Sequence, residues 1–267
     1  MVSATPDISL IAIDLDGTLL APDKSLHPDF WPIYTELTSR GIQVVPASGR
    51  QAQSIQGIFA AVASDLTFIA ENGAFLGRGD EVLATDPVSS DAVATVLERV
   101  AAYAGDAGTV LCGVRSAYVE RTDDAFLEPV SRYYPKLEIV PVLAEVTDQI
   151  LKVAVHDSAG SEFGVVPAIG EVPGARVLLS GKQWVDLMSP TADKGRALGL
   201  LQAELGLGPE HTMVFGDYPN DLGMIRAAHH SYAMADAHPE VAEAARYRAP
   251  SNSEAGVLSV LREVFQL

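Results

Sequence analysis

The sequence predicts an α/β protein, a doubly wound parallel sheet interrupted by an inserted α+β segment. Three observations predict it. Short runs rich in Val and Ile alternate with helix-period segments over residues 10–73, the same alternation returns after Asp193, and between the two the rhythm changes to short strands with few helices.

Taken in order, the first apolar run is 10–13, followed by a loop holding Pro22 and Asp23 and by a helix over about 29–40 that Gly41 terminates. Residues 42–47 read as the second strand, 52–64 as a helix and 66–70 as the third strand. Glu71-Asn72-Gly73 then marks a turn through its Asn-Gly pair. Within 80–187 the helical stretches are 91–104 and 161–169. The strand candidates there are 109–112, 117–119, 150–155, 176–179 and 183–187. Ser180-Gly181 suits a tight hairpin between the last two, so this segment should carry an antiparallel sheet. It reads as a second domain inserted into the first. The closing stretch gives a helix over 194–205, a strand over 212–215, a helix from near Asn220, a strand over 231–235, and helices after His238 and Gly256.

Composition narrows the function. The 267 residues carry 18 Lys+Arg against 35 Asp+Glu, a formal charge of −17, which repels phosphodiester backbones and anionic lipid headgroups. Nucleic-acid and membrane-surface roles are therefore set aside. A hydrophobic content of 48% is far above that of disordered chains. The single cysteine, Cys112, permits no internal disulfide, reads as a small buried apolar residue, and fits a cytoplasmic location. The first residues lack a basic segment leading into an apolar run, with Asp7, Asp14 and Asp16 interrupting them, and no stretch approaches the ~20 apolar residues of a spanning helix.

Chemistry concentrates where strands end. Asp14-Leu15-Asp16-Gly17-Thr18 puts two carboxylates directly after the first strand, and in an open parallel sheet the ligand crevice lies outside the carboxyl ends of the strands. Two anions this close raise a pKa or call for a cation between them; the plainer reading is a turn and helix cap. Gly216-Asp217-Tyr218-Pro219-Asn220-Asp221 repeats the pattern after another apolar run, again with a cap as the plainer reading. Asp14 and Asp217 together suit oxygen-ligated Mg²⁺ better than zinc. Ser48, ending the second strand, offers a hydroxyl and nearby N–H groups to an anion, or is only a turn. Lys194 opens a helix, where a cation opposes the macrodipole unless it has another task.

Together these segments resemble the haloacid dehalogenase superfamily of phosphatases, in its Cof-like branch with a large inserted cap. The resemblance rests on Asp14-x-Asp16-Gly-Thr18-Leu19-Leu20, Ser48-Gly49-Arg50, Glu71-Asn72-Gly73-Ala74, Lys194-Gly195-x-Ala197-Leu198 and Gly216-Asp217-x-x-Asn220-Asp221. Ala233-Met234-Ala235-Asp236-Ala237 and Gly256-Val257 extend it to the end of the chain, although Glu254-Ala255 replace the more usual Asp before that glycine. It implies a Rossmann-like core of residues 1–79 and 188–267 and a cap at 80–187 that sets specificity.

The resemblance also implies roles. Asp14 would be the nucleophile and form an aspartyl-phosphate; Asp16 would protonate the leaving group and then activate water; Ser48 and Lys194 would hold the phosphoryl oxygens. Gly49, Arg50, Asn72 and Asn220 would contact phosphate or substrate. Mg²⁺ would be held by Asp14 and Asp217, by the backbone carbonyl of Asp16, and by Asp221 from behind. Arg115, Arg121, Tyr133, Tyr134 and Lys182 could contact the leaving group, although the plainer reading of each is an ordinary surface or half-buried residue; Trp184 reads as core. The expected reaction is hydrolysis of a small phosphorylated metabolite such as a sugar phosphate, by a monomer or homodimer. Phosphomutase chemistry of the phosphomannomutase type, phosphoryl acceptance in signalling, and catalytically silent metabolite binding stand as alternatives.

Overall fold

A computed structural model describes residues 6–267. Within them the strands are β1 (Leu10–Asp14), β2 (Gln43–Ala47), β3 (Thr67–Ala70), β4 (Phe75–Arg78), β5 (Glu81–Thr85), β6 (Ala107–Gly113), β7 (Ala117–Val119), β8 (Leu137–Ile139), β9 (Ile150–Asp157), β10 (Arg176–Leu179), β11 (Trp184–Met188), β12 (Thr212–Gly216), β13 (His230–Met234) and β14 (Tyr247–Ala249). The helices are α1 (Phe30–Ser39), α2 (Ala52–Ile58), α3 (Ser90–Ala102), α4 (Asp124–Ser131), α5 (Val165–Ile169), α6 (Lys194–Leu205), α7 (Leu222–Arg226), α8 (Pro239–Ala244) and α9 (Gly256–Phe265).

Among the described residues the strands form two sheets. The larger runs β14-β13-β12-β1-β2-β3-β4-β5 and is parallel from β14 through β3. β1 lies at its centre and is buried along its whole length, as a strand covered on both faces must be. Alternation then sorts its side chains. Ile11 and Ile13 pack with Phe30 and Leu37 of α1 and Val257 and Leu261 of α9, while Leu10 and Ala12 pack with Leu198 and Leu201 of α6 and Met224 and Ile225 of α7. Phe30, Ile33 and Leu37 recur at helical spacing on the buried face of α1. Fully burying one such side chain is worth roughly 1.5–3 kcal/mol.

Helix α6 shows how local chemistry sets an element's ends. Asp193 caps it by accepting from the N–H groups of Gly195 (2.8 Å) and Arg196 (3.1 Å), and Gly206 leaves it in the left-handed conformation. A Cβ on Gly195 would lie 2.2 Å from the Gly223 carbonyl carbon, so only glycine lets α6 approach α7 this closely.

The smaller sheet runs β10-β11-β9-β6-β7-β8 and is antiparallel except for β7 with β8. α3 and α5 cover one face, through Val96 and Ile169 against Leu111, Val153 and Val185; α4 covers the other, through Phe126 and Val130 against Val110, Cys112 and Ala154.

Several expectations need correction. Residues 81–85 were expected within the inserted segment but extend the larger sheet, because the turn at 71–73 sends β4 back antiparallel to β3 and the Gly79-Asp80 turn returns the chain as β5. At the other end Met188 belongs to β11 of the smaller sheet. The helix expected over 52–64 ends at Ile58 and continues as a 3₁₀ turn at Ala60–Val62. That expected over 161–169 is helical only from Val165. The reading of the sequence contained neither α4, whose Pro129 argues against a helix, nor the short strands β8 and β14. No described helix is long and apolar enough to cross a membrane.

Candidate active site

The ends of three adjacent parallel strands assemble the site. Asp14 is the last residue of β1 and pairs with Ala47 of β2, so Ser48 lies one step beyond it on the neighbouring strand. On the other side Ile13 pairs with Phe215 of β12, which brings Asp217 to the same rim. Register alone therefore gathers groups more than 200 residues apart. Helices leave β1 and β12 toward opposite faces, the arrangement that opens a crevice at a sheet's carboxyl edge.

Lys194, at the start of α6, is fully buried, and its Nζ donates to Asp14 Oδ1 at 2.6 Å and to Asp221 Oδ1 at 2.7 Å. Asp221 is equally buried, and its Oδ2 accepts from the N–H groups of Asp217 (2.9 Å) and Tyr218 (3.2 Å). Both of its oxygens are thus engaged, which braces the 217–221 loop. Asp217 Oδ1 accepts from the Thr18 hydroxyl at 3.1 Å. A Cβ on Gly17, whose φ is +91°, would lie 2.4 Å from Asp217 Oδ2, so the glycine admits that carboxylate.

Asp14, Asp217 and Asp221 each place a carboxylate oxygen within 4.8 Å of the others. One lysine cannot neutralise three such groups. Burial, reinforced by the negative charge of Asp221, pushes the Asp14 carboxyl well above the ordinary carboxylate range against the pull of Lys194. Burial and Asp221 also raise Asp217 to about 6. Lys194 loses to burial but gains more from Asp14 and Asp221, so it stays charged. Asp14 Oδ2 is buried and receives no hydrogen bond from the protein. Hard carboxylate oxygens gathered in excess over the one ammonium fit a divalent cation such as Mg²⁺.

Asp16 stands apart from this cluster. Its carboxylate is gripped by Arg50, Nε to Oδ2 at 2.7 Å and Nη2 to Oδ1 at 2.8 Å, and by Lys24 Nζ at 2.8 Å. Burial works to raise its pKa, but the hydrogen bonds from Arg50 and Lys24 prevail and hold it at about 2. Two expectations therefore meet a different arrangement: Arg50 faces a carboxylate instead of an open anion pocket, and Asp16 is ionised and not a ready proton donor. The physical reason is charge pairing, since a planar guanidinium matches a carboxylate bidentately.

Around the second strand's end, Ser48 is buried and its Oγ accepts from Arg50 N at 3.2 Å. Asn72, at φ +55°, places its side chain where a Cβ on Gly49 would fall, and its Oδ1 accepts from Asn220 Nδ2 at 2.9 Å. Asn72, bonded through its N–H to the Ser48 carbonyl and through its Oδ1 to Asn220, thus links the Ser48 and Asp217 loops, and Gly49 leaves room for its side chain. The reading of the sequence assigned no role to Thr18 or Gln51, both buried beside these loops; Thr18 lies inside the Asp14–Thr18 string, where a hydroxyl after a glycine was the available signal.

The candidates for the leaving group scatter. Arg121 pairs with Asp106 and Asp123, and Arg115 with Asp148. Lys182 is exposed, while Tyr134 is buried. Tyr133, exposed, meets Trp184 edge to face at 5.6 Å; Trp184 itself is half-buried among Tyr133, Tyr134 and His156 and packs against the core cluster that holds Phe126 and Ala154.

Comparison with known proteins bears on this geometry. The family described as haloacid dehalogenase-like hydrolase matches residues 11–261. The 5-amino-6-(5-phospho-D-ribitylamino)uracil phosphatase YbjI of Escherichia coli K12 is 34% identical over 263 residues, covering 97% of each chain. The HMP-PP phosphatase of Escherichia coli O6:H1 is 26% identical, over 87% of this chain and 86% of its own. Among solved structures, SMU.1108c of Streptococcus mutans UA159 superposes with a TM-score of 0.84 at 28% identity, over 97% of this chain and all of its own.

Proposed function

Because the chain belongs to the haloacid dehalogenase-like hydrolases, as a phosphatase of the Cof-like branch, we propose that it hydrolyses a small phosphomonoester through an aspartyl-phosphate on Asp14. One observation carries this reading: Asp14 lies at the end of the central strand with one oxygen held by Lys194 and the other free of protein donors. A carboxylate oriented through one oxygen presents the other as nucleophile.

Asp14 Oδ2 attacks phosphorus as the ester P–O bond breaks. The leaving oxygen takes a proton from Asp16, and water then cleaves the Asp14–phosphate bond with Asp16 as base. Lys194, the Ser48 hydroxyl and the Gly49 N–H stabilise the charge on the phosphoryl oxygens. Asp14 and Asp217, with Asp221 bracing the loop behind, would hold Mg²⁺, which would supply electrostatic neutralisation between two anions. Asp16 must first acquire its proton from solvent, and the ion pairs set the condition: an incoming phosphoryl dianion competes for Arg50 and Lys24 and frees the Asp16 carboxylate to rise from its low pKa.

The smaller sheet, residues 107–188, serves as a cap over the strand ends, with Tyr133, near Arg50, and its ring neighbour Trp184 as candidate contacts for the leaving group. The ribitylaminouracil phosphate named for the Escherichia coli relative is the first substrate to test. A cytoplasmic site of action fits the one buried thiol, Cys112.

The experiment is inorganic phosphate release from a panel of phosphorylated metabolites, with Mg²⁺ and with excess chelator. Phosphate release that disappears with chelator and falls more than about 10³-fold in Asp14→Asn, with near-UV circular dichroism unchanged, is expected. Isomer formation without free phosphate would make the protein a mutase, and turnover retained by Asp14→Asn would remove the nucleophile.

A further inference from the structure

A second buried lysine joins the two sheets. Lys152 of β9 is 4% exposed, and its Nζ lies 2.7 Å from Glu71 Oε2, 3.7 Å from Asp186 Oδ2 and 3.5 Å from the carbonyl oxygen of Gly49. Strand register explains the grouping. Lys152 pairs with Met188 and Ala154 with Asp186, so alternation puts Lys152, Asp186 and Met188 on one face of the smaller sheet. That face meets the 71–73 turn, where Met188 Sδ is 3.9 Å from Asn72 Nδ2.

This turn is strained and well connected. Glu71, Asn72 and Gly73 have φ of +47°, +55° and +93°, and left-handed residues other than glycine persist only where their surroundings hold them. The Glu71 N–H donates to the Arg50 carbonyl and the Asn72 N–H to the Ser48 carbonyl, both at 3.0 Å. The turn therefore dictates the path of residues 48–50. The same loop is also held at Gln51, whose side-chain amide donates to the Lys136 carbonyl at 2.9 Å and accepts from its N–H at 3.2 Å. The Lys152–Glu71 contact is an ion pair, not a directed hydrogen bond, since neither Glu71 oxygen receives an aligned donor. Without the ammonium, Glu71 and Asp186 would be buried carboxylates facing one another.

We propose that Lys152 is a positioning residue: by holding Glu71 and the Gly49 carbonyl from the smaller sheet, it keeps the Ser48-Gly49-Arg50 loop in its anion-binding shape. The proposal rests on the reading of that loop as the phosphate-binding one. It follows that docking of the smaller sheet and phosphate affinity are linked through one side chain.

The test compares Lys152→Met, Glu71→Gln and their combination in the full chain with Val185→Ala, a fully buried control on the opposite face of the same sheet. Two quantities are read well below the melting temperature: the amide resonances of Gly49 and Asn72, and the dissociation constant of orthophosphate. Both resonances should move in the paired variants and stay in place in Val185→Ala. Orthophosphate should bind about tenfold more weakly in each single variant, the low end of what supporting residues contribute, and no more weakly in the double variant than in the weaker single. Unmoved resonances and unchanged phosphate affinity, in variants that only melt earlier, would overturn the proposal. If Lys152→Met does not fold, Glu71→Gln carries the same comparison. If the unsubstituted protein binds no orthophosphate, the phosphate-loop reading fails, and the Gly49 and Asn72 resonances still decide whether Lys152 sets the loop's shape.

Discussion

Two lysines in this protein are buried, and each faces two carboxylates. Lys194 bonds Asp14 and Asp221 at the strand ends of the larger sheet; Lys152 meets Glu71 and Asp186 between the sheets. In both places burial disfavours the ammonium and the carboxylates more than compensate. The surroundings differ. Both places leave carboxylate oxygens without a donor, Asp14 Oδ2 beside Lys194 and both oxygens of Glu71 beside Lys152. Beside Lys194, however, a third carboxylate, Asp217, adds to the excess negative charge, whereas Lys152 also meets a backbone carbonyl and the ring of Tyr134. A buried ion pair is thus no marker of chemistry by itself. What sets the proposed reacting site apart is a third carboxylate gathered at the carboxyl edge of a parallel sheet.

The largest effect that could break this contrast is the loss of Lys194. In metal-free buffer Lys194→Met should lose about 3–5 kcal/mol of stability, because the buried carboxylates of Asp14 and Asp221 are left without their cation. Urea denaturation measures it. Added Mg²⁺ should recover a large part in Lys194→Met and little in Lys152→Met; equal recovery in both would erase the distinction drawn here. Next comes Arg50→Lys, which keeps the charge but cannot grip Asp16 through two parallel bonds. A fall of about tenfold in kcat/KM, carried mainly by KM, is expected from steady-state kinetics. The smallest effect sharpens the contrast from the other side. A Cβ at Gly199, within α6, meets no heavy atom within 4 Å, so Gly199→Ala should raise stability by about 0.5–1 kcal/mol and leave turnover unchanged. A change in turnover would show that Lys194 senses the helix that carries it.

Much of the larger sheet was legible because its signals are local. A strand buried on both faces reads as an unbroken apolar run, and the acidic residues that follow it fall at the crevice whatever the rest of the chain does. Asp14 and Asp217 were singled out in this way, and Lys194 by its place at a helix start. The smaller sheet was harder. Its strands were mostly located, but α4 carries an internal proline and β8 is three residues long, so neither announces itself. The fate of 81–85 was misjudged because pairing, not composition, decides which sheet a short strand joins.

From sequence alone came most of the strands and helices around the parallel part of the larger sheet, the acidic groups at strand ends and the lysine that opens α6, since backbone periodicity and capping act over a few residues. Tertiary structure alone decided that Arg50 turns onto Asp16, that Asp221 spends both oxygens on Lys194 and its own loop, and that Lys152 reaches Glu71 from the other sheet. The reason is physical: a charged side chain chooses its partner by desolvation and by the charges within a few ångströms, and docking brings those neighbours from positions as far apart as 71 and 152, a separation at which no local pattern survives.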